Sequence, residues 1–301
     1  MVIMSRSLGL NAPKQDKSAK WREDLAKFWY RFSQNKTSVA GLVIVVVIIL
    51  GAVFAPYLTP YPKHAGVYVN FAETFQPPGS RHWFGTDEVG RDVFTRCIFG
   101  YRFNLILALV VLGASVPIGV LLGLVAGYRG GWVETVILRF TDIVLSLPAL
   151  AAALAISAVV GTDLRNTMVA LIAIWWTWHT RLVHGMVVSL KNEEYIEAAR
   201  VTGAGDFHMM FRELLPNCAA PILVKTALDA AFVTEVGAGL SFLGLGVKPP
   251  TPALGTMVAT GASYLPTYWW LSVFPSLGIL LLIFGLNWLA DGLRDVLDVD
   301  L

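Results

Sequence analysis

The chain has 301 residues, 55% hydrophobic and only 15% charged, with a mean hydropathy of +0.62, whereas soluble domains carry about 25% charged residues. That composition excludes a water-soluble globular protein; ten Trp and nine Tyr suit a membrane interface, and 27 Gly suit close helix approach in lipid. The net charge of +2 has no strong sign, and Cys97 and Cys218 stand at no metal or disulfide spacing, so both read as packing residues.

In chain order, Met1 to Ser18 reads as disordered. Trp21, Leu25, Phe28, Trp29 and Phe32 then fall at i, i+4, i+7, i+8 and i+11, with Lys20, Arg22, Lys27 and Arg31 on other faces. That pattern suits a helix lying on the inner leaflet, or packed on the protein's own first span, and both can hold. No cleavable signal is expected: the first long apolar run begins near Val39, after a long basic leader.

About 20 apolar residues cross a bilayer, and gaps in the charge pattern define six such stretches. They are Val39–Leu58, Asn104–Tyr128, Ile143–Thr162, Asn166–Leu190, Pro221–Val247 and Trp269–Ala290. The fourth holds Trp175, Trp176 and Trp178 with His179, Arg181 and His184 near its end; the fifth tolerates Lys225, Asp229 and Glu235. The expected fold is therefore an all-α integral membrane protein with six transmembrane helices. With the N-terminus in the cytoplasm, that side carries 16 of the 23 lysines and arginines, so the expected orientation is N-in and C-in. The expected organisation is a leader over residues 1–36 and a membrane domain over 37–301, including an extracytoplasmic segment, 58–102, and a cytoplasmic one, 193–217. A second Pro-rich outer loop, Gly246–Tyr268, joins the first as a candidate cap on a pathway.

The cytoplasmic segment "EEYIEAARVTGAGDFHMMFRELLPN" is the informative one. Ile196, Ala199 and Gly203 share a helical face, and Phe207, Met210, Phe211 and Leu214 repeat at i, i+3, i+4 and i+7. Two short helices meeting at Gly203-Ala204-Gly205 are expected, with a glycine ending the first, Asp206 capping the second and Pro216 turning the chain into span five. Periodicity alone also fits an amphipathic connector lying on the bilayer. The small residues Ala198, Ala199, Gly203, Ala204 and Gly205 favour close docking against a protein.

Among the buried charges, Lys225 and Asp229 stand at i, i+4, as a helical ion pair would. Glu235 is deeper and without a local partner, so a water-filled pathway or a subunit contact is expected there. His179, Arg181 and His184 read as interface or subunit contacts; His179 and His184 do not share a face for a metal. No catalytic or metal-ligating constellation is expected.

The stretch "EAARVTGAGDFHMMFRELLP" resembles the EAA loop of the inner-membrane permeases of bacterial ATP-binding cassette importers. Glu197, Ala198, Ala199, Gly203, Leu215 and Pro216 match its positions, while Glu213 departs from an apolar preference. "HWFGTDEVGRDVFTRCIFGYR", "AGYRGGWVETVILRFTDIVLSLP", "LSFLGLGVKPPTP" and "DGLRDVLD" are similar to blocks of the dipeptide, oligopeptide and nickel branch, C-type, in the same order. The resemblance implies a non-catalytic permease forming half of a translocation pathway for peptides or a related solute. It implies a second permease subunit, two ATP-binding subunits that carry ATP and Mg, and an extracytoplasmic binding protein. Nucleic acid is not an expected partner. Glu197, Ala198, Ala199, Gly203, Ala204, Gly205, Asp206, Leu215 and Pro216 would form the coupling element. The chain lacks a G-x-x-x-x-G-K-[ST] phosphate loop, consistent with ATP chemistry on another subunit. The competing reading is a stand-alone ion- or proton-coupled carrier, which would show internal repeats; none is convincing here.

Overall fold

The computed structural model describes residues 17–161 and 163–297. The disorder expected for the first residues falls outside that range as far as residue 16, while Lys17 and Ser18 already belong to a helix. The side chains of Trp21 and Leu25 also lie outside those described. Twelve α-helices are present among the described residues: α1 (Lys17–Gln34), α2 (Lys36–Val53), α3 (Ala55–Leu58), α4 (Val93–Arg129), α5 (Gly131–Leu145), α6 (Ala149–Val160), α7 (Leu164–Leu190), α8 (Glu194–Val201), α9 (Asp206–His208), α10 (Leu215–Phe242), α11 (Leu254–Ala262) and α12 (Trp270–Leu297). A π-helical turn, Met209–Leu214, joins α9 to α10. The described residues form no β-ladder beyond one isolated bridge, Thr86 to Asp92.

Among the described residues α2, α4 and α12 are each long and apolar enough to cross a membrane, and α5 with α6 forms a further candidate, bent by 89°. The bend corrects the expectation of one straight span over Ile143–Thr162. Pro148 disfavours helical geometry at Leu147, so α5 stops at Leu145 and a new helix starts at Ala149. The uncharged stretch therefore includes only the last turn of α5, which begins at Gly131 and carries Glu134, Arg139 and Asp142. Helices α7 and α10 have 27 and 28 residues, about 40 Å at 1.5 Å per residue, but their ionisable side chains lower their hydropathy.

The helices are joined by glycine seams. Gly119, Gly123 and Gly127 recur every four residues along α4 and lie directly on α7. A Cβ at Gly123 would stand 2.6 Å from the Thr180 carbonyl oxygen, and one at Gly127 would stand 2.8 Å from Val187 Cβ. This is the small-xxx-small device by which helices approach without a hydrophobic driving force between them. Helix α2 meets α12 in the same way: a Cβ at Gly41 would lie 2.6 Å from the Leu289 nitrogen, and one at Gly285 would lie 2.7 Å from Ile44. At the start of α2, Asn35 Oδ1 accepts from the Thr37 N–H at 3.1 Å, and its Nδ2 donates to Asp295 on α12 at 2.9 Å. Phe32 of α1 is buried beside Gly292 of α12, while Trp29 and Tyr30 remain exposed. The leader helix thus packs on the last helix as well as preceding the first.

Both Pro-rich segments between spans are folded caps. In the first, the rings of Tyr61, His64, Tyr68 and His82 stack around Asp92, with centroid separations of 3.9 Å for His64–Tyr68 and 4.8 Å for Tyr61–His82. Asp92 joins three elements. Its Oδ2 caps α4 by accepting from the Thr95 N–H at 2.7 Å, its Oδ1 lies 2.9 Å from His82 Nδ1, and its own N–H donates to His64 Nδ1 at 2.9 Å. Asp87 and Arg91 form a buried pair at 2.7 Å, with Arg96 at 3.5 Å. The cap sits on α12 through Gly85, whose φ of +75° and contact with Trp270 leave no room for a side chain, and through a Trp270 Nε1 to Thr86 O bond of 3.3 Å. The second segment contains α11, a half-buried helix packed against α10 and α12.

Candidate functional site

The segment between α7 and α10 is a corner, as expected, but its construction differs in three places. Helix α8 carries Glu194 and Glu197 in its first turn, where they favour the positive end of the helix dipole. It ends in a Schellman motif: Gly203 has φ +86°, its N–H donates to Arg200 O at 3.0 Å, and the Ala204 N–H donates to Ala199 O at 3.1 Å. A residue with a Cβ would be strained there by its left-handed conformation, although the surrounding space is open.

The first difference concerns Asp206. It is not the cap of the following helix; that position is Gly205, which makes no side-chain cap bond. The Asp206 carboxylate turns instead to the end of α4, accepting from Tyr128 OH at 2.9 Å and pairing with Arg129 at 3.3 Å. A side chain that could cap its own helix is drawn to a cation and a phenol brought close by the α4–α7 seam. Lys191, just past α7, donates to Gly127 O on α4 at 3.1 Å, so the ends of both helices are tied at the base of the corner.

The second difference is the anchor. Met209 and Leu214 are fully buried with Ile196, Val120, Leu124, Val183, Val187 and Cys218, whereas Phe207 is 73% exposed. Met209 and Leu214 stand five apart, off a common face in a 3.6-residue helix. The π turn between them, closed by a Leu215 N–H to Met210 O bond, restores that face.

The third is Pro216, which does not turn the chain. It sits in the first turn of α10 and the helix continues through it. Proline lacks an N–H and crowds the carbonyl one turn back, and the widened turn just before it relieves both demands. Glu213, the departure from the apolar preference, is half-buried and meets His208 at 3.1 Å.

Viewed from outside, the corner presents Glu197, Ala198, Val201, Gly203, Gly205, Asp206 and Phe207, all exposed, with Ala199 and Ala204 packed behind them. Val201 is 87% exposed. Among the described residues Glu197 makes no ion pair, with Arg200 or any other cation. The tip thus combines exposed apolar side chains with an acid that makes no ion pair among the described residues. Val201 was not legible as part of this face, because its helical position only becomes outward once Ile196 is known to point in.

The charged residues within the helices behave differently from one another. Lys225 and Asp229 form the expected pair, with Asp229 buried, His179 Nδ1 at 3.7 Å and Thr226 Oγ1 at 3.3 Å from His179 Nε2. The reading of His179 as an interface contact is corrected by its burial, while Arg181 stays exposed and His184 half-buried, each with a partner in this chain. His179 is fully buried, Arg181 pairs with Asp142, and His184 bonds Glu134 at 2.7 Å. Their partners lie on α5 and α10, which a linear reading cannot bring alongside α7. Glu235 is exposed on a stripe of α10 with Phe232 and Phe242, and no cation is within pairing distance among the described residues.

Residues 119–300 match the family described as binding-protein-dependent transport system inner membrane component, a match that spans the corner and every helix from the glycine seam onward. The chain belongs to that family. Residues 25–78 of this inner membrane component also match the N-terminal TM domain of oligopeptide transport permease C. It is 39% identical over 294 residues to the di/tripeptide transport system permease protein DppC of Pseudomonas aeruginosa, covering 96% of each chain. It is 37% identical over 286 residues to the glutathione transport system permease protein GsiD of Pectobacterium atrosepticum, covering 94% of this chain and 93% of that one. The probable D,D-dipeptide transport system permease protein DdpC of Escherichia coli is 35% identical over 273 residues, 91% of each.

Proposed function

We propose that this inner membrane component is the permease subunit of an ATP-driven importer of short peptides, and that the corner at 193–217 is where a separate ATPase subunit drives it. The observation that carries the reading is the contrast within the corner. Its inner side is rooted by Ile196, Met209 and Leu214 and tied by Asp206 to α4, while Glu197 and Val201 face outward and Phe207, backed on one side by the Phe211 ring, keeps most of its surface open. A rigid projection with an unsatisfied tip transmits displacement to α4, α7 and α10 together. The names of these relatives share one cargo chemistry, the amide-linked di- or tripeptide, which supports that substrate class here.

The rest of the assembly follows from this reading. Six spans, with α7 and α10 among them, leave both termini and the corner in the cytoplasm, in keeping with the excess of Lys and Arg on that side. ATP and Mg reside on two ATP-binding subunits and a binding protein delivers the peptide to the outer caps. A second permease completes the pathway, meeting the Phe232, Glu235 and Phe242 stripe across it or beside it, since an exposed acid within a span needs water or a partner. An ion-coupled carrier working alone fits less well, because it has no use for a rooted docking tip.

The test uses the transporter reconstituted with its partner subunits in vesicles. Glu197→Lys and Gly203→Asp are expected to insert and to lose dipeptide uptake while ATP hydrolysis by the partners persists. Uptake at the unsubstituted rate by both variants would sink the proposal.

A further inference from the structure

A cavity of about 890 Å³ opens among α2, α4 and α12 on the side of the Tyr57–Asp92 cap. Its walls are Val47, Leu50, Gly51 and Phe54 of α2, Phe94, Cys97, Ile98 and Tyr101 of α4, and Phe274, Leu277, Gly278 and Leu281 of α12, with Phe84 from the cap. The one hydroxyl on the wall is already used: Tyr101 OH donates to Gly278 O at 3.1 Å. Water needs two or more polar partners to occupy a cavity, and the side chains here offer only the acceptor side of that hydroxyl and the weakly polar Cys97 thiol. The cavity is about six times the ~150 Å³ apolar cavity that stays dry and takes up benzene. Its three helices are also the three that are apolar enough to span the bilayer singly.

Two further observations say what lies at its mouth. Trp83 and Trp269 are about half exposed at the rim, and their rings contact the lining rings Phe94 and Phe274 at 4.8 and 5.7 Å. Exposed tryptophans gather where headgroups meet hydrocarbon. Arg102 reaches across to the last carbonyls of α2, donating to Val53 O at 3.0 Å, which marks the same depth as the level where polar groups begin. Below it the mouth continues into Val47, Leu50, Leu277 and Leu281, all substantially exposed and all aliphatic.

We propose that this cavity is a binding site for an acyl chain of one bilayer phospholipid, entering sideways between α2 and α12 beneath the tryptophan rim. Two glycines make the room. A Cβ at Gly51 would meet nothing within 4 Å, so a large side chain there grows into the cavity without displacing backbone.

The complete transporter is reconstituted in vesicles of phosphatidylethanolamine and phosphatidylglycerol doped with a phosphatidylcholine that carries a photoreactive diazirine midway along one acyl chain. After irradiation, adducts are mapped by mass spectrometry. Adducts on 47–58, 94–101 and 274–281 are expected in excess over those on the exposed Leu109, Val110 and Gly113 face of α4, and Gly51→Phe should remove the excess. Gly113→Phe, which also grows into open space, should leave it intact. Gly51→Leu repeats the test if the phenylalanine variant fails to insert. Equal labelling of both faces of α4 would mean bulk bilayer only and would overturn the proposal. A Gly51→Cys variant that cross-links to the second permease would overturn it in favour of a subunit interface.

Discussion

The cap between α3 and α4 and the corner between α7 and α10 are both polar interruptions of an apolar chain, yet they are built on opposite plans. The cap turns its polar groups inward. His64, His82, Asp87, Arg91, Asp92 and Arg96 are all buried and mutually bonded, and the outside is left with scattered apolar and charged groups. The corner buries apolar side chains and keeps its carboxylates other than Glu213, with two large apolar side chains, in the open. A segment whose hydrogen bonds close on themselves is a stable fixture, whereas one whose outer groups are unspent leaves them open, in keeping with the docking role proposed for the corner. Burial of the polar set, more than its composition, separates the two.

The largest expected effect lies beneath the corner. Gly123→Leu would drive a side chain into the Thr180 backbone, which cannot retreat, and should cost about 3 kcal/mol or more. Gly113→Leu on the open face of α4 should leave the melting temperature in detergent unchanged, and equal losses from the two would remove the seam from the account. Next comes the cap. Asp92→Ala removes a helix cap worth about 1 kcal/mol and a charged hydrogen bond to His82 worth about 1.5–3 kcal/mol. Limited proteolysis within residues 59–92 should accelerate while cleavage at the corner does not.

Asp206→Asn is expected to do the reverse. Its pair with Arg129 is more than half exposed on both sides, so the stability change should stay within about 0.5 kcal/mol. Uptake per ATP hydrolysed should nevertheless fall, because the tie from the corner to α4 is loosened; unchanged coupling would show that the apolar roots suffice.

The smallest effect is a pH dependence confined to the cap. Burial lowers the pKa of His64 below its ordinary 6.5, against the opposing pull of Asp92, and its Nδ1 must stay unprotonated to accept the Asp92 N–H. The unfolded cap therefore binds more protons than the folded one, so stability is held at neutral pH and declines as pH falls through and below 6.5. Amide exchange near Asp92 should quicken on acidification, and His64→Gln should flatten that response.

The long apolar helices were legible from charge gaps alone: α4 contains its expected span and α12 all but Trp269 of its own, although the first expected span, Val39–Leu58, breaks after Val53 and finishes in α3. So was the glycine corner, whose Schellman bonds need only a residue free to take φ +86°. The break at Pro148 was equally available in the residues, but a window of uncharged positions hides it. What no linear pattern carries is which helix a residue meets. The repeat at Gly119, Gly123 and Gly127 announces a close approach without naming α7, and Asp206 reads as a cap until Tyr128 and Arg129 stand beside it. Helix α11 has only nine residues, too few to stand out as a span, and its packing against α10 and α12 is visible only in the fold.

The π turn at Met209–Leu214 acts as a phase setting between the corner and α10. Each residue of an α-helix advances about 100° around its axis. Deleting one residue from that turn would close a plain α-helix with the phase roughly kept, whereas winding the same residues as a plain α-helix would swing Phe207 and the Gly203 corner about a quarter of a revolution relative to α10. The tip would then point at the wrong azimuth with every one of its residues intact.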